Sequence, residues 1–216
     1  MKKQALIYMA FALLILSCSK ETIDGSGTLV SESRNVEHFT KVSGEGVFEV
    51  TITQGTQQSV EVTADNNIIS HIRTRVVNNE LRLYLDNDNN YSNLTVQIDI
   101  VVTSLNGLKN SGVGNIYATN IDEDGSFSIY NSGTGSINIE GSSSSLDIVN
   151  EGSGYIFSFD FLVNNCNVEI EGSGDVEVNC SNSLDVVIEG SGNVYYKDFP
   201  TINASITGSG EVINDN

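Results

Sequence analysis

Three glutamates recur at one position of a repeated motif, and carboxylates in pairs are the groups that hydrolyse glycosides or bind cations. Glu151, Glu171 and Glu189 each stand directly before the first glycine of a Gly-x-Gly motif. Acidic residues also line the ordinary solvated faces of an acidic protein. We favour surface acids, keep a ligand or cation face at these three residues as the alternative, and rank catalysis last.

A second acidic cluster has the spacing of the first ligands of an EF-hand calcium loop. Asp86, Asp88 and Asn90 take those positions, but Tyr91 replaces the glycine and Gln97 the glutamate that the loop requires. The cluster therefore predicts a hairpin turn, with weak calcium binding as the alternative. We predict no other metal or cofactor.

Other catalytic arrangements find little support in the sequence. His38 and His71 lie outside the repeats, and no Gly-x-Ser-x-Gly motif is present. Residues 105–216 contain two basic residues, Lys109 and Lys197, whereas polysaccharide lyases need basic groups beside their acids. The sequence therefore predicts a protein that is not an enzyme.

The N-terminus predicts export and a lipid anchor. Lys2 and Lys3 precede an apolar run that ends in Ile15-Leu16-Ser17-Cys18. The run is shorter than the roughly 20 residues that span a bilayer, and it suits a secretory signal. The cysteine at its end resembles the bacterial lipobox, which implies acylation of Cys18.

We therefore predict a signal peptide at 1–17, a lipidated Cys18 with a tether at 18–33, and a single domain at 34–216. We expect a membrane-anchored lipoprotein at the outer membrane or cell surface. The chain has 28 Asp and Glu against ten Lys and Arg. Phosphate binding needs clustered basic residues, so nucleic acid is excluded as a partner.

A Gly-x-Gly motif organises the second half of the chain. Its copies are Gly112/Gly114, Gly133/Gly135, Gly152/Gly154, Gly172/Gly174, Gly190/Gly192 and Gly208/Gly210. Around each copy every second residue is apolar or glycine, as in Leu184, Val186 and Ile188, which is the period of a strand with one buried face. The position two before the first glycine is Asn in the first three copies and Ile in the last three, which predicts two inner columns.

The pattern predicts an all-β fold, a parallel β-solenoid of about six Gly-x-Gly rungs at 105–216. Residues 53–104 depart from the repeat and predict a β-meander that caps or flanks it. Cys166 and Cys180 are predicted as buried thiols, with a disulfide as the alternative.

The opening Val42-Ser43-Gly44-Glu45-Gly46, Leu81-Arg82-Leu83, the serial Gly-Ser-Gly motifs and the ending Tyr195-Tyr196-Lys197-Asp198-Phe199-Pro200 resemble the putative auto-transporter adhesin, head GIN domain family of Bacteroidota. The resemblance covers roughly residues 34–212. It implies a right-handed β-helix-like fold on secreted or surface proteins, and it supplies no catalytic residues.

We predict a non-enzymatic envelope lipoprotein, an adhesin or binding module for glycans or surface polymers. One alternative is a structural or assembly lipoprotein that binds a protein partner, and a carbohydrate-active enzyme ranks below both. The membrane is a partner through the lipid anchor, and a homo-oligomer formed through the sides of the repeat stays open.

Overall fold

The computed structural model describes residues 20–216, so Cys18 and the predicted signal peptide lie outside the described residues. Within residues 20–216 the regular structure consists of 18 β-strands and a single 3₁₀ turn at Ile69–His71. None of the helical structure in this part of the chain is long and apolar enough to cross a membrane.

Nine strands precede the repeats. They are β1 (Thr22–Asp24), β2 (Leu29–Ser33), β3 (Lys41–Glu45), β4 (Glu49–Gln54), β5 (Ser59–Asp65), β6 (Ile72–Val77), β7 (Glu80–Leu85), β8 (Asn90–Ser92) and β9 (Val96–Val102).

Nine more strands carry the repeats. They are β10 (Gly107–Asn110), β11 (Ile116–Asn131), β12 (Ile137–Asn150), β13 (Ile156–Phe157), β14 (Phe161–Ile170), β15 (Val176–Ile188), β16 (Val194–Lys197), β17 (Thr201–Ile206) and β18 (Val212–Asn214).

Sixteen of the strands form one sheet, and β1 with β8 forms a separate two-stranded sheet. The large sheet is mixed. Antiparallel pairs join β2 to β5, β5 to β9 and β6 to β7. Parallel pairs join β3 to β7 and β4 to β9. Strand β3 also pairs in parallel with β10 of the repeat region, and β4 with β11.

The predicted fold class is therefore corrected. The protein is all-β, but it is not a right-handed parallel β-solenoid of Gly-x-Gly rungs with a separate flanking meander. Strands of the 53–104 segment are built into the same sheet as the repeats, with antiparallel meander pairs beside parallel ones. The Gly-x-Gly motifs lie in bends between strands and do not form the strands themselves.

The buried faces of the strands follow the predicted alternation. Leu184, Val186 and Ile188 of β15 are buried, and the residues between them face outward. The N-terminal range predicted as a tether contributes β2, and the backbone N–H of Gly27 donates to the buried Asp65 carboxylate at 2.7 Å. These contacts join the first described residues to the core.

Close backbone contact explains the glycines of the bends. A Cβ atom on Gly133 would lie 2.0 Å from the carbonyl oxygen of Gly112, and one on Gly190 would lie 2.0 Å from that of Gly172. Atoms cannot approach so closely, so a side chain is excluded there. The N–H groups of Ser132 and Gly133 both donate to the carbonyl of Asn110, at 2.9 and 3.3 Å.

Two kinds of side chain fill the inside of these bends. The first three bends contain the buried Asn110, Asn131 and Asn150, which we call the asparagine half. The Nδ2 of Asn131 donates to Oδ1 of Asn150 at 3.1 Å, and the Nδ2 of Asn150 donates to the carbonyls of Gly154 and Gly174 at 3.1 and 3.0 Å. The last three bends, with Ile170, Ile188 and Ile206 at this position, form the isoleucine half.

Candidate functional site

The predicted glutamates lie in a column on the outer surface. Asn150 pairs with Ile170, and Ile170 with Ile188, and each of these residues ends its strand. The glutamate that follows each one therefore stands directly after the end of neighbouring strands. Neighbouring strands lie about 4.8 Å apart. Glu151, Glu171 and Glu189 are all exposed.

The first glutamate of the column is engaged by a tyrosine. The Tyr130 hydroxyl donates to Oε2 of Glu151, and the Lys109 ammonium lies 5.1 Å from the centre of the Tyr130 ring. The hydrogen bond to Glu151, followed by burial, raises the pKa of Tyr130 above its ordinary value. Glu151 therefore belongs to a Lys–Tyr–Glu cluster that the sequence analysis did not identify.

A second ladder runs beside this column. The outward residues Asp147, Asn167, Asp185 and Asn203 stand in register on successive strands. Asn167 Nδ2 donates to Asp147 at 2.6 Å, and Asn203 Nδ2 donates to Asp185 at 3.2 Å. Alternating amides separate the carboxylates and supply each with a donor, which reduces the repulsion that stacked acids would suffer.

The EF-hand-like residues lie in the connection from β7 to β8, and these two strands do not pair with each other, so the predicted hairpin turn is not formed. The Asp86 carboxylate accepts hydrogen bonds from Tyr91 and from Arg73 at 2.8 Å, and it lies 3.2 Å from Nδ1 of His71. The Tyr91 bond lowers the pKa of Asp86, against an opposing contribution from burial. Asn90 begins β8 and reaches the backbone of Lys20. Within residues 20–216 no three His, Cys, Asp or Glu side chains converge as a metal site.

The two cysteines of the repeat region are buried free thiols. The hydrogen bond between them, together with burial, raises the pKa of Cys166. Both cysteines lie within the hydrophobic core. The thiolate, which is the reactive form, is thereby disfavoured at Cys166.

Five aromatic side chains lie on or beside the strands that follow the bends. They are Tyr117, Tyr155, Phe157, Phe159 and Tyr195, which we call the aromatic face. Tyr117, Tyr155 and Phe157 are 43%, 47% and 38% exposed. The Tyr155 and Phe157 rings are stacked, with centroids 5.8 Å apart and planes 11° apart. Exposed apolar clusters with polar rims often mark binding sites.

Strand register places Tyr117, Phe157 and Tyr195 in one row across the sheet. Tyr117 pairs with Asn138, Asn138 with Phe157, and Glu177 with Tyr195. Phe157 follows Ile156, which pairs with Val176, so Glu177 comes next to Phe157 in the row. Two strand spacings place Tyr117 and Phe157 about 9–10 Å apart.

Polar groups surround a cleft at one side of the aromatic face. The cleft has a volume of about 230 Å³ and is lined by Asn138, Ile139, Phe157, Phe159, Asp160, Glu177 and Lys197. The Lys197 ammonium lies 4.3 Å from the centre of the Phe159 ring. Burial raises the pKa of Glu177, and the nearby Lys197 opposes that shift. The cleft thus offers ring faces together with hydrogen-bond donors and acceptors.

Comparison with known proteins gives one family and several solved structures. The family model described as "Putative auto-transporter adhesin, head GIN domain" matches residues 38–200. A putative adhesin from Bacteroides fragilis is 24% identical, with a TM-score of 0.72, over 89% of this chain and 100% of that chain. A comparison with curated proteins finds no significant match.

Two Parabacteroides structures are also similar. A putative lipid binding protein from Parabacteroides distasonis is 23% identical, with a TM-score of 0.59, over 91% of this chain and 100% of that chain. A putative adhesin from Parabacteroides merdae is 18% identical, with a TM-score of 0.57 and the same two coverages. At these identities the likeness shows a shared fold alone.

Proposed function

Because the chain belongs to the putative auto-transporter adhesin, head GIN domain family, we propose that it is a non-enzymatic cell-surface module that binds glycans through its aromatic face. The observation that carries the proposal is the exposed stack of Tyr155 and Phe157 beside the polar cleft. The net charge of −18 favours a ligand that is neutral or cationic overall.

The chemistry of a sugar matches this surface. One face of a pyranose ring presents C–H groups, which pack on the flat face of an aromatic ring. Its hydroxyl groups need both donors and acceptors, and Asn138, Asp160, Glu177 and Lys197 provide them at the edge of the rings. The separation of Tyr117 from Phe157 suits an oligosaccharide that lies across several strands.

An array of glycans tests the proposal, with purified protein probed in the presence and absence of calcium. We expect dose-dependent binding to one class of glycan. The double variant Tyr155→Ala/Phe157→Ala should weaken that binding by at least about tenfold, since two stacked rings contribute more than about 1.4 kcal/mol.

A matched control removes exposed apolar surface elsewhere. Leu162 and Val187 are 57% and 40% exposed and lie outside the aromatic face. The double variant Leu162→Ala/Val187→Ala should bind as the wild type does. No binding to any glycan, or equal losses in both double variants, would refute the proposal. Binding that requires calcium would direct attention to Glu171 and Glu189 as a cation face.

Membrane attachment through Cys18 is the second part of the proposal. Its support is the lipobox-like sequence Ile15-Leu16-Ser17-Cys18 after an apolar run. Cells that express the protein should incorporate labelled palmitate into it, and Cys18→Ser should abolish the label. Label that persists in the Cys18→Ser variant would exclude this residue as the acylation site.

A further inference from the structure

Strand β17, near the C-terminal end of the repeat region, is far more exposed than β15 beside it. Leu184, Val186 and Ile188 of β15 are buried, yet their partners in β17, Ile202, Ala204 and Ile206, are all exposed. Ile202 is 38% exposed and Ile206 44%. The same face of the repeat is thus core in one strand and surface in the next.

The free edge of β17 also lacks the features that normally protect a sheet edge. Within residues 20–216, β17 pairs with β15 alone, so its other edge presents unpaired backbone groups. Natural proteins protect such edges with lysine, other charges or proline. Residues 201–207 contain none of these, although the chain as a whole carries 28 acidic residues.

The sequence of this edge is close to symmetric about its centre. Residues 201–207 read Thr-Ile-Asn-Ala-Ser-Ile-Thr. When this segment is paired antiparallel with itself around Ala204, Thr201 meets Thr207 and Ile202 meets Ile206. Asn203 meets Ser205, and Ala204 meets its own copy. A twofold interface requires this kind of self-complementarity.

We propose that β17 pairs antiparallel with β17 of a second copy of the chain, about a twofold axis at Ala204. The pairing supplies partners to the free backbone groups and covers Ile202 and Ile206 with the same residues of the other copy. Uncharged Thr, Asn and Ser meet on the outer face, so two acidic molecules approach without like charges across the strands.

The opposite end of the sheet favours a closed dimer over an open chain of molecules. Its edge strands are β6, which pairs with β7 alone among the described strands and carries the exposed Arg73 and Arg75, and β2, which pairs with β5 alone and carries the exposed Glu32. Charges on an edge strand discourage pairing with a further strand. The two ends therefore differ, and head-to-tail growth is disfavoured. This inference is independent of the aromatic face and of glycan binding.

Analytical ultracentrifugation over a range of protein concentrations tests the proposal. We expect wild-type protein to show a reversible monomer–dimer equilibrium. Ala204→Asp places two carboxylates opposite each other at the axis and should raise the dimer dissociation constant at least about tenfold. Asn182→Asp adds the same charge at an exposed site outside β17 and should leave the constant unchanged.

A cross-link supplies a second measurement that does not depend on affinity. Residues directly opposite in an antiparallel pair have Cβ atoms about 4.5–5.5 Å apart, close enough for a disulfide after small adjustments. The variant Ala204→Cys should form a covalent dimer under mild oxidation, and mass spectrometry should identify the link between the introduced thiols. Asn182→Cys should not. A wild type that stays monomeric, or equal cross-linking in the two variants, would overturn the proposal.

Discussion

The asparagine half and the isoleucine half build the same backbone bend around different side chains. In both halves the two N–H groups after the inner residue donate to one carbonyl of the preceding strand: Ser132 and Gly133 to Asn110, and Glu189 and Gly190 to Ile170. In the asparagine half the inner side chains also form hydrogen bonds to the bend. In the isoleucine half Ile170 and Ile188 are buried in the apolar core, whereas Ile206 is exposed.

The comparison separates what the bend requires from what it tolerates. It requires glycine, because the bends contact each other through backbone atoms. It tolerates an amide or an aliphatic side chain, and the two types stand side by side where Asn150 pairs with Ile170. A buried amide needs partners, and an aliphatic group needs apolar neighbours.

The largest expected effect comes from the glycines, and it should be the same in both halves. Gly133→Ala and Gly190→Ala each force a methyl group into a backbone carbonyl, so each should cost more than about 4 kcal/mol or prevent folding. Gly125→Ala is the control, because its nearest neighbour is the flexible Glu123 side chain at 3.5 Å. Thermal unfolding followed by circular dichroism measures the three variants. A mild effect in one half would show that its bends are less tightly packed.

The next effect separates positions within the isoleucine half. Ile188→Ala opens a cavity in the core and should cost about 2–5 kcal/mol. Ile206→Ala should cost less than about 1 kcal/mol in the monomer, because Ile206 is 44% exposed. Urea unfolding at low protein concentration measures both. Equal losses would show that β17 is covered in solution.

A smaller effect tests whether the asparagines act as a unit. Asn110→Ile, Asn131→Ile and Asn150→Ile should each cost about 1–3 kcal/mol, because each leaves carbonyl or amide groups without partners. The triple variant should lose less than the sum, by at least about 1 kcal/mol, since it converts the amide column into an aliphatic one. Strict additivity in urea unfolding would mean that the three asparagines act independently.

The smallest effect concerns the outer surface above the asparagine half. Glu151→Gln removes the charged acceptor of the Tyr130 hydroxyl and should lower the pKa of Tyr130 towards its ordinary value. The ultraviolet absorbance of tyrosinate during an alkaline titration measures this change. Glu189→Gln, the matched change in the isoleucine half, should leave the Tyr130 titration unaltered. An unaltered titration in Glu151→Gln would show that the hydrogen bond does not form in solution.

Local patterns in the sequence predicted the inside of the strands well. The period of two placed Leu184, Val186 and Ile188 in the core, and it placed the asparagine column and Ile170 inside as well. The prediction that Ile206 is also an inner residue was wrong, because Ile206 is 44% exposed. It could not predict the mixed sheet. The pairing of β3 with β7 and of β4 with β9 joins segments far apart in the chain, and no local period encodes such contacts.

The candidate site was predicted only in part. The glutamate column could be read from the motif, because each glutamate keeps a fixed offset from its glycine. Tyr117, Phe157 and Tyr195 also keep a fixed offset, three residues after the second glycine of their motifs, so their common row could have been read from the sequence. The exposure of the rings and the cleft beside them depend on packing in three dimensions, which no motif encodes.

The tight contact between glycine bends limits where the sequence can gain or lose residues. Successive motifs are 18 to 21 residues apart, so whole residues have been gained or lost without disturbing the bends. The irregular pairings lie elsewhere, between Glu123 and Ser126 and between Val163 and Asn165. At those irregular positions the chain can accept insertions that diversify the surface, or a grafted foreign peptide. The glycine bends keep their shape, because they lie elsewhere in each repeat.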